Sequence, residues 1–288
     1  MITTLDGTTP LAHNTQMPMI GYGTWQVTDA AQATAGVKEA IAAGYRHIDT
    51  AAVYGNEEAV GRGIAEGLAE AGLSRKDLFV TTKLWNDHRG HDAALAGIEE
   101  SLSRLGLDYV DLYLIHWPAN SRQHPQDWRA LNASTWSGME EIYASGRARA
   151  IGVSNFTRKH LEALLSDASV APMVNQIELH PGFGQWDAAE CSKANGLAVE
   201  AWSPLGSGRV LGDPALGAVA AQIGRTPAQV ALRWLLQQDI AILPKSVTPE
   251  RIRSNAELFD FELSPAQMEA VRAVVDDTEH SDPDQVDF

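Results

Sequence analysis

A chain of 288 residues that is 44% hydrophobic and carries a formal net charge of −15 can bury a sizeable core but has no basic footprint, which excludes nucleic acid and an anionic membrane as partners. An anionic small molecule stays admissible, because exposed charges are screened over about 8 Å at physiological salt and a local basic cluster suffices to hold a phosphate. The single cysteine, Cys191, rules out an internal disulfide, and the opening MITTLDGTTP has neither a basic n-region nor an apolar h-region, so a reducing, cytoplasmic setting is expected.

In chain order, Asp6-Gly7 is a strong turn dipeptide and predicts a β-hairpin within residues 2–20. Then strands and helices alternate. GYGTW (21–25) precedes a helix over 30–43, RHIDTA (46–51) one over 57–69, LFVTTKLW (78–85) one over 92–105, and YVDLYLIHW (109–117) one over 128–145. Asn56 followed by Glu57 and Glu58 reads as an N-cap with acids in the first turn. The second half repeats the rhythm with RAIGVSNF (149–156), MVNQIELH (173–180), LAVEAWSP (197–204) and IAILPKSV (240–247), each followed by a segment of helical composition.

Strands that are apolar on both faces and separated by amphipathic helices predict a parallel sheet under helices, and eight such units predict a closed (β/α)8 TIM barrel of the α/β class. No Pro, Gly and Ser-rich linker interrupts the chain, so residues 1–288 are expected as one domain with the hairpin at its N-terminus. The competing architecture is an open doubly wound sheet. Against it, GYGTWQ (21–26) has only two of the three glycines of G-x-G-x-x-G. Polar residues also gather where the strands end: Asp49, Lys83, His116, Ser154, Asn155, Gln176, Ser203, Lys245 and Ser246. A barrel would bring those ends to one mouth. Residues 118–127, 205–225 and the tail after 273 lack strand character and read as pocket loops, the acidic tail reading equally well as a solvated end.

Asp49, Tyr54, Lys83 and His116 come from or just after strands two, three and four, so barrel closure predicts a cluster. A lysine ammonium beside a phenol favours the phenolate and makes Tyr54 a stronger acid towards a carbonyl oxygen, with Asp49 keeping Lys83 charged and His116 positioning the substrate oxygen. Each alone is more ordinarily a buried ion pair or a satisfied core group. Trp25, Trp85, Trp117 and Trp202 follow or close strands and predict an aromatic pocket. His88 and His91 form H-x-x-H on a Gly-containing loop without a third ligand, so no metal is expected there, and no G-x-S-x-G marks acyl transfer.

From MPMIGYGTW to FDFELS this pattern resembles the aldo-keto reductase family, in particular the bacterial branch of 2,5-diketo-D-gluconate reductases, in which Trp202 takes the place of a smaller aromatic. The resemblance implies a monomeric, NADPH-dependent reductase of a small-molecule carbonyl, with Asp49, Tyr54, Lys83 and His116 as its catalytic tetrad. It implies cofactor contacts from Thr24 and Asp49, carboxamide contacts from Ser154, Asn155 and Gln176, a stacking ring in Trp202, and further contacts from Ser203, Pro204, Leu205 and Val247. Lys245, Ser246 and Arg251 would take a ribose 2′-phosphate, aided by a helix N-terminus, and Asn255 the adenine, with Ser254 standing where an acid is common. Two other functions compete. A cofactor-sensing regulatory subunit would keep the binding residues without turnover, and a barrel hydrolase would need a second carboxylate opposite Asp49, which is not expected.

Overall fold

The structure, a computed structural model, describes residues 2–288. It opens on the hairpin of β1 (Thr8–Pro10) and β2 (Gln16–Pro18), paired antiparallel with Thr9 opposite Met17. The reversal is made by a 3-10 turn over Ala12–Asn14, with Asn14 left-handed at φ 64°. Asp6-Gly7 instead bends the chain ahead of β1, through Gly7 N donating to Thr4 O at 3.0 Å. The predicted hairpin exists, but its turn lies elsewhere.

Eight parallel strands follow: β3 (Tyr22–Gly23), β4 (His47–Asp49), β5 (Phe79–Leu84), β6 (Leu112–Ile115), β7 (Ile151–Ser154), β8 (Val174–His180), then β10 (Ala198–Trp202) and β11 (Ala241–Leu243), with a two-residue β9 (Phe183–Gly184) folded antiparallel onto β8. They pair in chain order. The ring closes where Ile20 bridges Ile242: Gly21 N donates to Ile242 O at 2.9 Å, Ile242 N to Met19 O at 2.9 Å, and Gly23 N to Pro244 O at 3.1 Å. This closure makes the fold a (β/α)8 barrel and sets aside the open sheet.

The strands form because their branched apolar side chains are buried inward and outward alike. Ile48, Val80, Leu114, Val153, Ile177 and Ile242 are all fully buried, each worth about 1.5–3 kcal/mol of transfer free energy. The outer ring comprises α1 (Ala30–Ala42), α2 (Glu57–Ala71), α3 (His91–Leu105), α4 (Trp128–Ser145), α5 (Arg158–Asp167), α6 (Trp186–Ala194), α7 (Pro214–Ile223), α8 (Pro227–Leu236), α9 (Pro249–Ser254) and α10 (Pro265–Arg272). Sequence signals start several of them. Asp29 accepts from Gln32 N at 2.8 Å ahead of α1, and Thr226 and Ser264 form capping boxes with Gln229 and Gln267, each followed by Pro at the first helical position. Gly61 lets α2 lie against α3, since a Cβ there would stand 2.2 Å from Leu105 O.

Two of the expected loops are structured. Residues 205–225 contain a 3-10 segment, Gly206–Gly212, and then α7, capped by Asp213, whose carboxylate accepts from Ala215 N and Leu216 N at 2.7 and 3.1 Å. The tail after 273 is no frayed end. Val275 bridges Gly182, Asn120 Nδ2 donates to Pro283 O and Val286 O at 3.0 Å each, and Asn86 and Gln123 both donate to Phe288 O at 2.9 Å. The tail therefore crosses to the side where β5 and β6 end. Among the described residues, no helix is long and apolar enough to cross a membrane.

Candidate active site

Barrel register brings Asp49 opposite Thr81, two residues short of Lys83 on β5, so the longer lysine reaches back across the strand pair. Lys83 Nζ donates to Asp49 Oδ1 at 2.7 Å, to Thr50 O at 3.0 Å and to Tyr54 Oη at 3.2 Å, with lysine and aspartate both buried. Tyr54, half-buried, closes a 3-10 turn over Ala52–Tyr54 that Gly55 ends in the left-handed region at φ 67°. The His116 ring stands edge-on to Tyr54 at 5.7 Å between centroids and edge-on to Trp85 at 5.2 Å. The four predicted residues are in one place.

Their electrostatics differ from the expectation in one respect. Burial pushes the Tyr54 phenol above its usual value, Lys83 pulls it only part of the way back, and Asp49 raises it again. Burial likewise lowers the Lys83 ammonium, but Asp49 and then Tyr54 more than offset this and leave it above its ordinary value, hence charged. Burial and the Lys83 charge hold His116 well below the usual imidazole value, hence neutral. Tyr54 is thus a protonated phenol. Since Lys83 donates to Oη, the phenol hydrogen is left to point elsewhere.

Asn56 does not cap α2 with its side chain. Its amide donates to Thr24 O and Val27 O at 2.9 and 3.1 Å and accepts from Thr50 Oγ1 at 3.0 Å, lashing the loop after β3 to the loop that carries Tyr54. Glu57 is likewise buried, bound by Thr82 Oγ1 at 2.6 Å and Arg104 Nε at 2.7 Å. These strong charge-assisted partners outweigh the weaker pull of a helix end.

Behind the cluster lies a residue that the sequence reading passed over. Gln176 Nε2 donates both to Asp49 Oδ2 at 2.9 Å and to Glu200 Oε2 at 2.7 Å, so a second carboxylate does stand across from Asp49. Glu200 is fully buried, and its carboxyl is pushed up to about 8 by burial and then by Asp49. His47, also buried, is lowered to about 3 and stands 3.6 Å away, leaving Glu200 Oε1 without a hydrogen bond. The available signal was a Glu inside the apolar strand LAVEAWSP, in register with Gln176 on β8.

The polar ends of β7, β8 and β10 bond first to one another. Ser154 Oγ donates to Gln176 O at 2.7 Å, Asn155 Nδ2 donates to His116 O at 2.9 Å and to Ser154 Oγ at 3.1 Å, and Trp202 Nε1 donates to Asn155 Oδ1 at 2.9 Å. Asn155 takes φ 61° to do so. Thr24 Oγ1 donates to Asp49 O at 2.9 Å. Ser203, at φ 51°, ties the turn into Pro204, Leu205 and Gly206 by accepting from Ser207 N at 3.1 Å.

Past β11, Ser246 Oγ accepts from Thr248 N at 3.0 Å and Val247 is exposed. Lys245 and Arg251 are exposed too, while nearby acids Glu39 and Glu250 both pair with Arg253 instead. Asn255 is buried at the end of α9. α9 has six residues and starts at Pro249 after Thr248, whose side chain makes no cap bond.

The tryptophans separate by depth. Trp25 is 42% exposed and meets Trp202 edge-on at 6.1 Å, Trp85 is half-buried, and Trp117 is buried behind Phe288. Phe288, which no sequence signal marked, stacks on Trp85 at 5.7 Å and 16°. His88 and His91 go to separate carboxylates, Asp87 and Asp92, at 2.7 and 2.8 Å.

With this geometry in hand, the Aldo/keto reductase family profile matches residues 19–276. The glyoxal reductase of Bacillus subtilis (strain 168) is 44% identical over 289 residues, spanning 100% of both chains. Among solved structures, a Gox0644 variant in complex with NADPH superposes with a TM-score of 0.88 at 39% identity, covering 98% of this chain and 99% of that one. The Bombyx mori aldo-keto reductase in complex with NADP gives 0.85 at 36% identity, covering 94% and 93%. A closed parallel barrel with a lysine held between a carboxylate and a phenol, matched along nearly its whole length, places this chain in the aldo/keto reductase family.

Proposed function

We propose that this chain reduces small aldehydes or ketones to alcohols using NADPH, with Tyr54 as the proton donor. The observation that carries the reading is Lys83 Nζ, buried and shared between Asp49 Oδ1 at 2.7 Å and Tyr54 Oη at 3.2 Å. When bound, the nicotinamide supplies hydride to the carbonyl carbon. The chain's residues handle the charge that this creates on the carbonyl oxygen. Tyr54 passes its proton to that oxygen, and Lys83 stabilises the phenolate left behind, a state that the buried setting otherwise disfavours. Neutral His116 is suited to orient the oxygen rather than to protonate it.

The residues fit the cofactor by chemistry. Lys245 and Arg251 leave two exposed cations for a ribose 2′-phosphate, and the Trp202 ring is fixed by its bond to Asn155 for stacking. Preference for NADPH over NADH follows from those cations. The resemblance to a glyoxal reductase supports a small, unhindered carbonyl as substrate.

The test is NADPH consumption with a panel of small aldehydes and ketones, for the wild type and Tyr54→Phe. The variant keeps the ring and every proposed cofactor contact. Turnover should fall by about 10²- to 10⁴-fold with NADPH affinity nearly unchanged. Near wild-type reduction by Tyr54→Phe removes the assignment, and a wild type that binds NADPH without turning over any carbonyl refutes the reductase reading.

A further inference from the structure

Away from the tetrad, four side chains converge between the end of β8 and the tail. Glu178 and His180 come from β8, Asp276 and His280 from the chain after α10. A donor atom each from Glu178, His180 and His280 lies within 4.8 Å of the others. His180 Nε2 stands 3.7 Å from Glu178 Oε1 and 3.9 Å from Asp276 Oδ2, while His280 Nδ1 is 3.3 Å from Glu178 Oε2 and His280 Nε2 is 3.7 Å from Asp276 Oδ2. None of these is a hydrogen bond. Zinc bonds of about 2.0–2.2 Å in a tetrahedron set donors about 3.3–3.6 Å apart, close to the spacing found here.

His180 is held in one tautomer at Nδ1. Its Nδ1 faces Pro181 O at 2.8 Å, and a carbonyl only accepts, so Nδ1 carries the proton. Nε2 is then the ring atom that faces the two carboxylates. That nitrogen is fully buried and has no hydrogen-bond partner, and His280 Nε2 has none either. A backbone carbonyl on the remote nitrogen is also the arrangement that orients metal-binding histidines. His280 is held in place by Phe183, stacked on it at 3.6 Å and 10°.

Arg209 also approaches the cluster, with Nε 3.1 Å from Asp276 Oδ2 and a terminal nitrogen 4.0 Å from Glu178 Oε1. One guanidinium thus faces two carboxylates and two imidazoles. We propose that Glu178, His180 and His280 bind a divalent transition metal ion of the Zn2+ type, as their mixed imidazole and carboxylate donors suit, with a water in the fourth position. The ion would clasp the tail to β8, in the segment that leads on to Phe288 over Trp85.

The test uses the full chain, treated with chelator and dialysed against Zn2+, with Co2+ absorption as a second probe. The expected result is one ion per chain, visible d–d bands of a four-coordinate Co2+ site, and a thermal midpoint that rises with Zn2+. His280→Gln, on the tail, should weaken uptake by at least about 100-fold and abolish the thermal shift. His180→Gln should do the same, but it alters a buried residue, so His280→Gln decides if that variant does not fold. His91→Gln should leave both readouts unchanged. No stoichiometric uptake by the wild type, or undiminished uptake by His280→Gln, overturns the proposal.

Discussion

Replacing Lys83 by Met removes an ammonium that serves three acceptors at once: Asp49 Oδ1, Thr50 O and Tyr54 Oη. Two effects follow, and they are separable. The first is on stability. Asp49 keeps Gln176 on its other oxygen but loses the Lys83 counter-charge in a buried setting, and breaking a buried pair from one side costs about 3–5 kcal/mol. Against a net stability of about 5–15 kcal/mol, the variant folds with a clearly reduced urea midpoint. The second effect is chemical. Without Lys83, burial and Asp49 act unopposed on Tyr54, and the phenolate has no cation beside it, so turnover should drop by about 10²- to 10⁴-fold. Asp49→Asn combined with Lys83→Met separates the two, because it removes the stranded carboxylate and should restore most of the lost stability. Turnover must stay low. Urea denaturation at neutral pH and single-turnover NADPH oxidation give the two readouts. If the double variant regains turnover along with stability, Lys83 is merely structural and the reasoning fails.

Other expectations rest on separate residues. Arg251→Ala should weaken NADPH binding by about tenfold while leaving NADH nearly unchanged, as expected for a charged hydrogen bond at an exposed position, and equal losses for both cofactors would remove the 2′-phosphate assignment. NADPH should quench tryptophan fluorescence, and Trp202→Ala should lose much of the quench; an unchanged quench points to Trp25, Trp85 or Trp117. Glu200 has a pKa raised from 4.5 to about 8 by burial and Asp49, so folding takes up a proton between those values. Its contribution to stability is full below the unfolded value and is lost as pH rises through the folded one. The urea midpoint of Glu200→Gln relative to wild type should therefore climb from about pH 4.5 and level off above about 8, whereas a pH-independent difference would refute the raised value.

The alternation of apolar strands and amphipathic helices is a local property, and it was enough to specify eight β/α units and their order. The clustering of Asp49, Tyr54, Lys83 and His116 was legible for the same reason: Asp49, Lys83 and His116 mark strand ends, and strand ends in a closed barrel can only meet at one rim. Turn and loop readings fared worse where composition was ambiguous. Asp6-Gly7 carries a turn signal but no information about which turn joins β1 to β2, and 205–225 lacks strand character although Asp213-Pro214 and Gly224 bracket a helix.

Other features depend on contacts between residues far apart in the chain. Gln176 reaches Asp49 across 127 positions, and Asn120 fixes the tail at Pro283 across 163. No periodicity encodes such pairs, so the fate of the tail and the position of Phe288 were not readable beforehand. The acidity of Tyr54 belongs with them. Residue types alone said that an ammonium lowers a phenol's pKa. Only the packed structure decided that burial outweighs Lys83, because desolvation depends on everything that surrounds the hydroxyl and not on the one neighbour that the sequence names.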